Sequence, residues 1–198
     1  MKLDLVTFNN YKEAIRIQNI IFPHENGTLN ILASLDRDLF MEKTDLFYPD
    51  DKVKYFLALS EDKIVGITGV YRVDSDEEAW LAWFGILPTL RNHGYAKQLL
   101  EETMNLVKKN GCKVLRLYAD KVANAEAIKL YEKLGFVGEK YSSEELSYDC
   151  WIYSKNLYNE EIQLWNNKNL NLAHQSEFDQ MDIDSINKIT EIYDNLDI

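Results

Sequence analysis

Residues 86–96 have the sequence Ile86-Leu87-Pro88-Thr89-Leu90-Arg91-Asn92-His93-Gly94-Tyr95-Ala96. A strand-like run ends at Pro88, and a helical pattern begins about six residues later. Gly94 and Ala96 are small enough to let a ligand approach the backbone, and the first amides of a helix have no partner inside that helix. This pattern predicts an anion-binding site at a helix N-terminus, although a plain strand-to-helix turn would explain the stretch equally well.

A second motif follows one predicted strand later and reads Asn124-Ala125-Glu126-Ala127-Ile128-Lys129-Leu130-Tyr131-Glu132-Lys133-Leu134-Gly135-Phe136. Together the two motifs resemble the GNAT superfamily of acyl-CoA-dependent N-acetyltransferases, whose loop reads Arg/Gln-x-x-Gly-x-Gly/Ala and whose helix reads Asn-x-x-Ala-x-x-Leu-Tyr-x-x-x-Gly-Phe. The matching residues are Arg91, Gly94, Ala96, Asn124, Ala127, Leu130, Tyr131, Gly135 and Phe136. Either motif alone is weak, but their order and spacing make the pair specific.

The resemblance covers residues 1–157, which we take as the acetyltransferase domain, and residues 158–198 lie outside it. It implies the GNAT fold, in which a central mixed, mostly antiparallel sheet of about seven strands is flanked by about four helices. The residues themselves alternate strand-like and helix-like runs, which independently favours an α/β (α+β) architecture. Strands are predicted over 3–8, 53–60, 63–73, 78–86, 114–119, 136–141 and 148–154, and helices over 10–21, 29–41, 96–107 and 124–134.

The extension of residues 158–198 differs in composition from the rest of the chain. It carries nine acidic residues and two lysines, against 24 acidic and 20 basic residues in 1–157. Ile183, Ile186, Ile189, Tyr193 and Leu196 recur at three- and four-residue spacing, which predicts one amphipathic helix. We expect this helix to pack on its own domain or on a second copy in a homodimer, the alternative being a mobile acidic tail that improves solubility.

Composition and charge exclude several classes of protein. The 198 residues are 46% hydrophobic, enough for a core, and carry a net charge of −11, which makes nucleic acid a poor partner. No apolar run approaches the roughly 20 residues of a membrane helix, and no signal-peptide stretch is evident, so we expect a cytoplasmic protein. Cys112 and Cys150 form no Cys-x-x-Cys pair, and His24 with Glu25 lacks the spacing of a metal site, so no metal is predicted.

The resemblance also implies where acetyl-CoA binds as co-substrate. Its pyrophosphate would lie on the loop formed by Arg91, Asn92, His93, Gly94, Tyr95 and Ala96, and Lys97 is a candidate for contact with the CoA phosphates. The pantetheine arm would bind the backbone from Phe84 to Ile86, where the strand is expected to separate from the 114–119 strand, with Gly85 suited to a bulge. The thioester would then lie near Asn124 and Tyr131.

Tyr131 is the predicted catalytic residue. A phenol with a pKa of about 10 is suited to donate a proton to the CoA thiolate in a dry site. The plainer interpretation is a core tyrosine on an amphipathic helix. Asn124 is a favourable N-cap residue, and capping is compatible with a contact to CoA.

The general base is less clearly marked. Some family members carry a Glu six residues before the position of Ile86, where this chain has Trp80. Glu78, two residues back on the same strand face, is the predicted base, directly or through water. Asp74 and Asp120 are further candidates, and ordered water leading to bulk solvent would also suffice.

The predicted function is therefore transfer of an acetyl group from acetyl-CoA to a primary amine, most simply a small molecule, by direct attack in a ternary complex. Residues of the first two helices and of the loop over residues 23–27, together with the closing strand pair, would choose the acceptor. An N-terminal acetyltransferase acting on proteins or peptides is the alternative on the same scaffold. A CoA-binding sensor without catalysis is the alternative from another class, opposed by the presence of Tyr131.

Overall fold

A computed structural model of the chain describes residues 1–25, 27–44, 53–72, 77–141, 150–158, 160–162, 164–165 and 182–195. The strands are β1 (Lys2–Leu5), β2 (Lys54–Ser60), β3 (Lys63–Tyr71), β4 (Glu78–Ile86), β5 (Val114–Asp120), β6 (Val137–Lys140) and β7 (Cys150–Asn156). The helices are α1 (Tyr11–Ile21), α2 (Thr28–Leu35), α3 (Arg37–Thr44), α4 (Tyr95–Lys109), α5 (Ala125–Lys133) and α6 (Ile183–Asp194), with a 3-10 turn at Pro88–Leu90.

The seven strands form one sheet in the order β1-β2-β3-β4-β5-β7-β6. Every neighbouring pair is antiparallel except β4 and β5, which run parallel. The connection from β4 to β5 is the one that contains α4, as a parallel crossover requires. The predicted mixed, mostly antiparallel sheet is therefore confirmed.

The helix predicted over 29–41 is wrong as a single element, because the chain forms α2 and α3 there. Asp36 between them is extended, with φ −156° and ψ 106°. Its carboxylate Oδ1 accepts a hydrogen bond from the amide of Leu39 at 3.0 Å. Asp36 thus ends α2 and caps α3. The apolar spacing continues across this junction, so it does not reveal the break between the two helices.

The helices divide between the two faces of the sheet. Alternation along β5 sends Leu115 and Leu117 to one face, where they pack with α4 and α5, and Arg116 to the other. The second face carries α1, α2, α3 and α6, whose buried side chains share one cluster with Leu57 and Ile67 of the sheet. This two-layer packing leaves the sheet at the centre of the core. None of the helices in the described ranges is long and apolar enough to cross a membrane.

Helix α6 packs on the chain's own core, which is the first of the docking alternatives predicted for it. Ile186, Ile189 and Tyr193 are buried among the apolar side chains of α1, α2 and α3. Ile183 does not belong to this buried face, since it is 66% exposed, and Leu196 lies outside the described residues. Fewer residues of α6 are therefore buried against the core than the five-residue pattern indicates.

Polar contacts fix both ends of α6. The Asp182 carboxylate caps the helix by accepting from the amide of Ser185 at 2.9 Å. At the other end, Asp194 accepts from the hydroxyl of Tyr11 at 2.8 Å and pairs with Lys12 at 2.8 Å. Helix α6 is therefore attached to α1 as well as to the apolar core.

Candidate active site

The site lies where the parallel strands β4 and β5 separate. They pair only over Glu78–Trp80 and Val114–Arg116. Beyond that point a cavity of about 340 Å³ lies between Leu81–Phe84 on one strand and Leu117–Asp120 on the other. A gap in a parallel pair exposes backbone groups that would otherwise hydrogen-bond across the sheet, so an extended ligand can use them.

A β-bulge in β4 accompanies the separation. Ile67 pairs with Gly85 and Gly69 with Ala82, so two residues of β4, Trp83 and Phe84, face one residue of β3. Trp83 has φ +43°, a left-handed conformation that a bulky residue rarely adopts. The predicted bulge at Gly85 is therefore wrong in position, since it is centred one to two residues earlier.

Gly85 serves a different purpose in the fold. A Cβ there would lie 2.4 Å from Cγ2 of Ile21 and 2.9 Å from the ring of Phe22. The missing side chain lets the end of α1 pack directly onto β4. This close packing brings Phe22, which lines the cavity, over the gap.

The loop over residues 91–97 ends in an open helix N-terminus. Asn92 and Gly94 adopt left-handed conformations, with φ +65° and +81°, and Gly94 is the N-cap of α4. The first hydrogen bond inside the helix runs from the amide of Gln98 to Gly94 O, at 3.3 Å. The amides of Tyr95, Ala96 and Lys97 precede that bond and have no carbonyl of the helix to donate to. This donor set fits a phosphate group.

Side chains of this loop mainly fix its shape. Arg91 Nε donates to the carbonyl of Ile86 at 3.4 Å, and His93 Nδ1 donates to Arg91 O at 2.7 Å. Lys97 lies 3.6 Å from Glu101, and the ring of Tyr95 lies 6.4 Å from that of His93. The guanidinium of Arg91 thus turns back toward the end of β4, which leaves the backbone amides as the donors that could meet an anion.

The two predicted pantetheine contacts occupy different positions. Phe84 is half-buried and lines the cavity. Ile86 is buried beneath α4 with Leu99, and its backbone pairs with Gly66. The structure therefore brings Phe84, and not the Ile86 side chain, into the cavity.

Tyr131 of α5 lines the cavity from the face that carries α4 and α5. Its ring centroid lies 6.1 Å from that of Phe84, 5.8 Å from that of Phe136 and 6.4 Å from that of Tyr153. Burial among these rings raises the pKa of the Tyr131 phenol above its ordinary value of 10.0. The hydroxyl consequently keeps its proton at neutral pH, which is the state that a general acid needs.

Asn124 also lines the cavity, beside Asp120. It is the N-cap of α5 by position, but its side chain makes no capping bond to that helix. Instead Asn124 Oδ1 accepts from the amide of Asp120 at 2.9 Å. Asp120 Oδ1 in turn accepts from the amides of Val122 and Ala123, each at 2.7 Å. These bonds hold the loop between β5 and α5 in a tight turn at the cavity edge.

The charged lining of the cavity is acidic. Its side chains include Glu25 and Asp120 and no lysine or arginine among the residues the structure describes. Asp120 is one of the carboxylates predicted as a candidate base. Glu25 is not, although it lies in the 23–27 loop expected to choose the acceptor. Asp74 lies outside the described residues. Across those residues, no three His, Cys, Asp or Glu side chains form a metal-binding cluster.

Glu78 occupies a different environment from the exposed strand end expected for a base. It is only 8% exposed, and both of its oxygens accept from Arg116, at 3.0 Å from Nε and 2.8 Å from Nη2. Arg116 Nη1 also donates to Ser154 Oγ at 2.6 Å. The carboxylate is therefore engaged at the paired end of β4 and β5, outside the lining of the cavity, and this geometry favours a structural ion pair.

Aromatic side chains form the wall of the cavity on the α1 side. The rings of Phe22 and Trp83 meet edge to face with centroids 5.3 Å apart, and Tyr71 lies farther along the same lining. Of the aromatic residues of β4, Trp83 and Phe84 line the cavity, whereas Trp80 is completely buried. We call Phe22, Glu25, Tyr71 and Trp83 the acceptor wall.

Comparison with known proteins identifies the arrangement. A family model described as the acetyltransferase (GNAT) family matches residues 21–136. Among solved structures, a spermidine N-acetyltransferase chimera of Vibrio cholerae and human sequence aligns with a TM-score of 0.61 at 15% identity, covering 79% of this chain and 97% of that one. The ribosomal-protein-S18-alanine N-acetyltransferase from Escherichia coli aligns with a TM-score of 0.54 at 19% identity, covering 86% and 99%. Tetrahymena GCN5 gives 0.57 at 17% identity, covering 81% and 99%. No curated protein sequence matches the chain.

Proposed function

The chain belongs to the acetyltransferase (GNAT) family of acetyl-CoA-dependent acyltransferases, and on that premise we propose that it transfers an acetyl group to a primary amine in the cavity between β4 and β5. The observation that carries the proposal is the position of Tyr131. It brings a buried, protonated phenol into an acidic cavity at the gap. A cavity with these groups suits transfer from a thioester to an amine.

On the CoA side, the backbone holds the co-substrate. The amides of Tyr95, Ala96 and Lys97 bind the pyrophosphate at the N-terminus of α4, where the helix dipole also favours an anion. The free backbone edge of Leu81–Phe84 takes the pantetheine arm as an added strand. Bound there, acetyl-CoA supplies an acetyl group already activated as a thioester.

On the acceptor side, electrostatics favour a cation. Glu25 and Asp120 attract an ammonium group, and the rings of Phe22 and Trp83 suit the carbon atoms next to it. The ammonium must lose a proton before its nitrogen can attack. We assign that proton to Glu25 or Asp120, directly or through water, and assign Glu78 a structural role.

The step itself needs one base and one acid. The amine nitrogen attacks the thioester carbonyl carbon, the C–N bond forms, and the C–S bond breaks. The cavity carboxylate has by then passed the ammonium proton to bulk water, so it can accept the second proton from nitrogen. The Tyr131 hydroxyl donates a proton to the departing sulfur and regains one from water, which leaves one proton released for each ammonium acetylated. We take transfer to be direct, in a ternary complex, because Cys112 and Cys150 are both buried and neither lines the cavity.

A small molecule is the acceptor that the cavity favours. Its volume of about 340 Å³ is near the lower end of the range for small-molecule sites, and the pantetheine arm would take part of it, which leaves space for a small acceptor group. The aligned structures include a spermidine N-acetyltransferase and an N-acetyltransferase acting on an alanine of a ribosomal protein. A protein N-terminus is therefore the second candidate, because the cavity is open at the edge lined by Glu25 and Asp120.

Turnover measured by thiol release tests the proposal. The purified protein is incubated with acetyl-CoA and, in turn, spermidine, an aminoglycoside, free lysine and a peptide with an alanine N-terminus. We expect thiol release that depends on the amine, with the acetylated amine detected by mass spectrometry. Thiol release at the same rate without any amine, or none with every amine, would refute N-acetyl transfer.

A further inference from the structure

We propose that Trp165, in the extension of residues 158–198, is a positioning residue for the acceptor wall. The inference rests on the proposed function and names a determinant of acceptor binding that lies outside the two family motifs. Trp165 does not line the cavity. It acts through Trp80 and Tyr71, and the proposal concerns binding of the amine and not of CoA.

Trp165 is completely buried against the sheet. Its ring meets that of Trp80 edge to face, with centroids 4.9 Å apart at an interplanar angle of 90°. It lies 5.5 Å from Cζ of Arg116, a cation–π distance. Its backbone amide donates to the carboxylate of Glu139 in β6. The ring of Trp165 thus contacts residues of β4 and β5, and its backbone contacts β6.

The contact continues from Trp80 to the cavity. Trp80 is completely buried, and its ring stacks on that of Tyr71 with centroids 6.2 Å apart at 28°. Tyr71 belongs to the acceptor wall. The packed rings therefore link Trp165 to Tyr71 at the cavity.

The ring of Trp165 also covers the ion pair between Glu78 and Arg116. Trp165 covers Arg116, whose guanidinium holds Glu78. Removing the indole would leave a void beside Trp80 and admit water to a charged pair that is otherwise buried. Trp80 and Tyr71 could then adopt other rotamers, and the acceptor wall would lose its fixed shape.

The CoA side is not connected to Trp165 in this way. The 91–97 loop follows the opposite end of β4, and Tyr131 lies on the other face of the sheet. A change at Trp165 is therefore expected to alter amine binding and to leave acetyl-CoA binding intact. If the role of Trp165 were purely structural, its loss would weaken the binding of the amine and of acetyl-CoA together.

Kinetics of three variants of the full-length chain separate these possibilities. The amine is the one that wild type acetylates fastest among spermidine, an aminoglycoside, lysine and the alanine peptide. Trp165→Ala should raise the KM for the amine by about tenfold, with the KM for acetyl-CoA changed less than about twofold. Trp165→Phe should recover most of the loss, because a ring still packs on Trp80. Leu164→Ala, at a neighbouring residue that is 39% exposed, should match wild type.

Thermal melting checks that each variant folds, and calorimetric titration with CoA checks its CoA site. If Trp165→Ala does not melt cooperatively, Trp165→Leu replaces it. An unchanged amine KM in Trp165→Ala, or a parallel rise in both KM values, would overturn the role of Trp165. Failure of Trp165→Phe to recover would do the same. No turnover by wild type with any amine would refute the proposed function itself, and the role of Trp165 in acceptor binding with it.

Discussion

The two ends of the β4–β5 pair carry acidic groups in opposite situations. At the paired end, Glu78 is buried and binds Arg116 through both oxygens. At the separated end, Asp120 lies on a cavity that also contains Glu25 and Tyr131. Both carboxylates belong to the same pair of parallel strands. The two ends differ in that the strands are hydrogen-bonded around Glu78 and separated beside Asp120.

This contrast shows that backbone separation decides what a carboxylate can do. Where strands are paired, no ligand can reach between them, and a buried charge must find a partner inside the protein. Where they separate, unpaired backbone and side chains face a cavity that a substrate can enter. The paired end should therefore control stability and the separated end activity.

The largest expected effect is on stability at the paired end. Arg116→Ala leaves Glu78 buried without its cation and should lower the free energy of unfolding by about 3–5 kcal/mol. Chemical denaturation measures the loss. Asp120→Asn is the matched control at the separated end, where an amide Oδ1 can still accept from Val122 and Ala123 and stability should change little. Equal losses for both variants would contradict the contrast.

A smaller effect is expected on catalysis from the cavity carboxylates. Glu25→Gln and Asp120→Asn should each lower kcat/KM for the amine, and the more important of the two by roughly tenfold or more at neutral pH. The deficit should shrink as pH rises, because the amine then arrives without its extra proton. A pH profile of kcat/KM for each variant measures this. A deficit that does not vary with pH would remove both residues from proton transfer.

Two glycines at the ends of α4 test the phosphate site. Gly94 and Gly111 both have positive φ, +81° and +87°, and at neither would a Cβ meet another atom. Gly94→Ala and Gly111→Ala should each cost about 1 kcal/mol of stability through backbone strain. Only Gly94→Ala should weaken CoA binding, severalfold by calorimetry, because only Gly94 forms the open N-terminus. Equal CoA affinities in the two variants would show that the loop does not bind phosphate.

The smallest expected effect concerns the attachment of α6. Hydrogen bonds from Lys12 and Tyr11 lower the pKa of Asp194. A depressed folded pKa contributes stability that is present above the ordinary aspartate value of about 4 and is lost as pH falls through the folded value. The melting temperature of Asp194→Asn should therefore depend less on pH below about 4 than that of wild type. Parallel curves would mean that this contact does not stabilise the docked helix.

The local elements of the site can be predicted from the sequence, whereas contacts between distant segments cannot. Gly94, Asn124 and Tyr131 belong to local motifs whose spacing is fixed by one loop and one helix turn, so a single chain marks them as candidates. The bounds of β4, Glu78–Ile86, were also predicted, because its apolar run is flanked by turn residues.

The missed features depend on contacts between distant segments. Glu78 was expected to act as base because nothing near it in sequence shows that Arg116, 38 residues later, binds it. Glu25 follows the end of α1, which packs on Gly85 of the distant β4, and no local pattern marks the contact of Trp165 with Trp80. The bulge at Trp83 likewise follows from register with β3, which the sequence of β4 alone does not contain.

The central claim is that the separated end of β4 and β5 carries out acetyl transfer with Tyr131 as the acid. The direct test is kcat at saturating acetyl-CoA and amine for Tyr131→Phe against Tyr153→Phe, a change to a buried neighbour 6.4 Å away that is outside the cavity lining. Tyr131→Phe should keep its CoA affinity and lose roughly 10²-fold in kcat, while Tyr153→Phe stays near wild type. Near wild-type kcat for Tyr131→Phe where chemistry limits turnover, or equal losses in both variants, would contradict it.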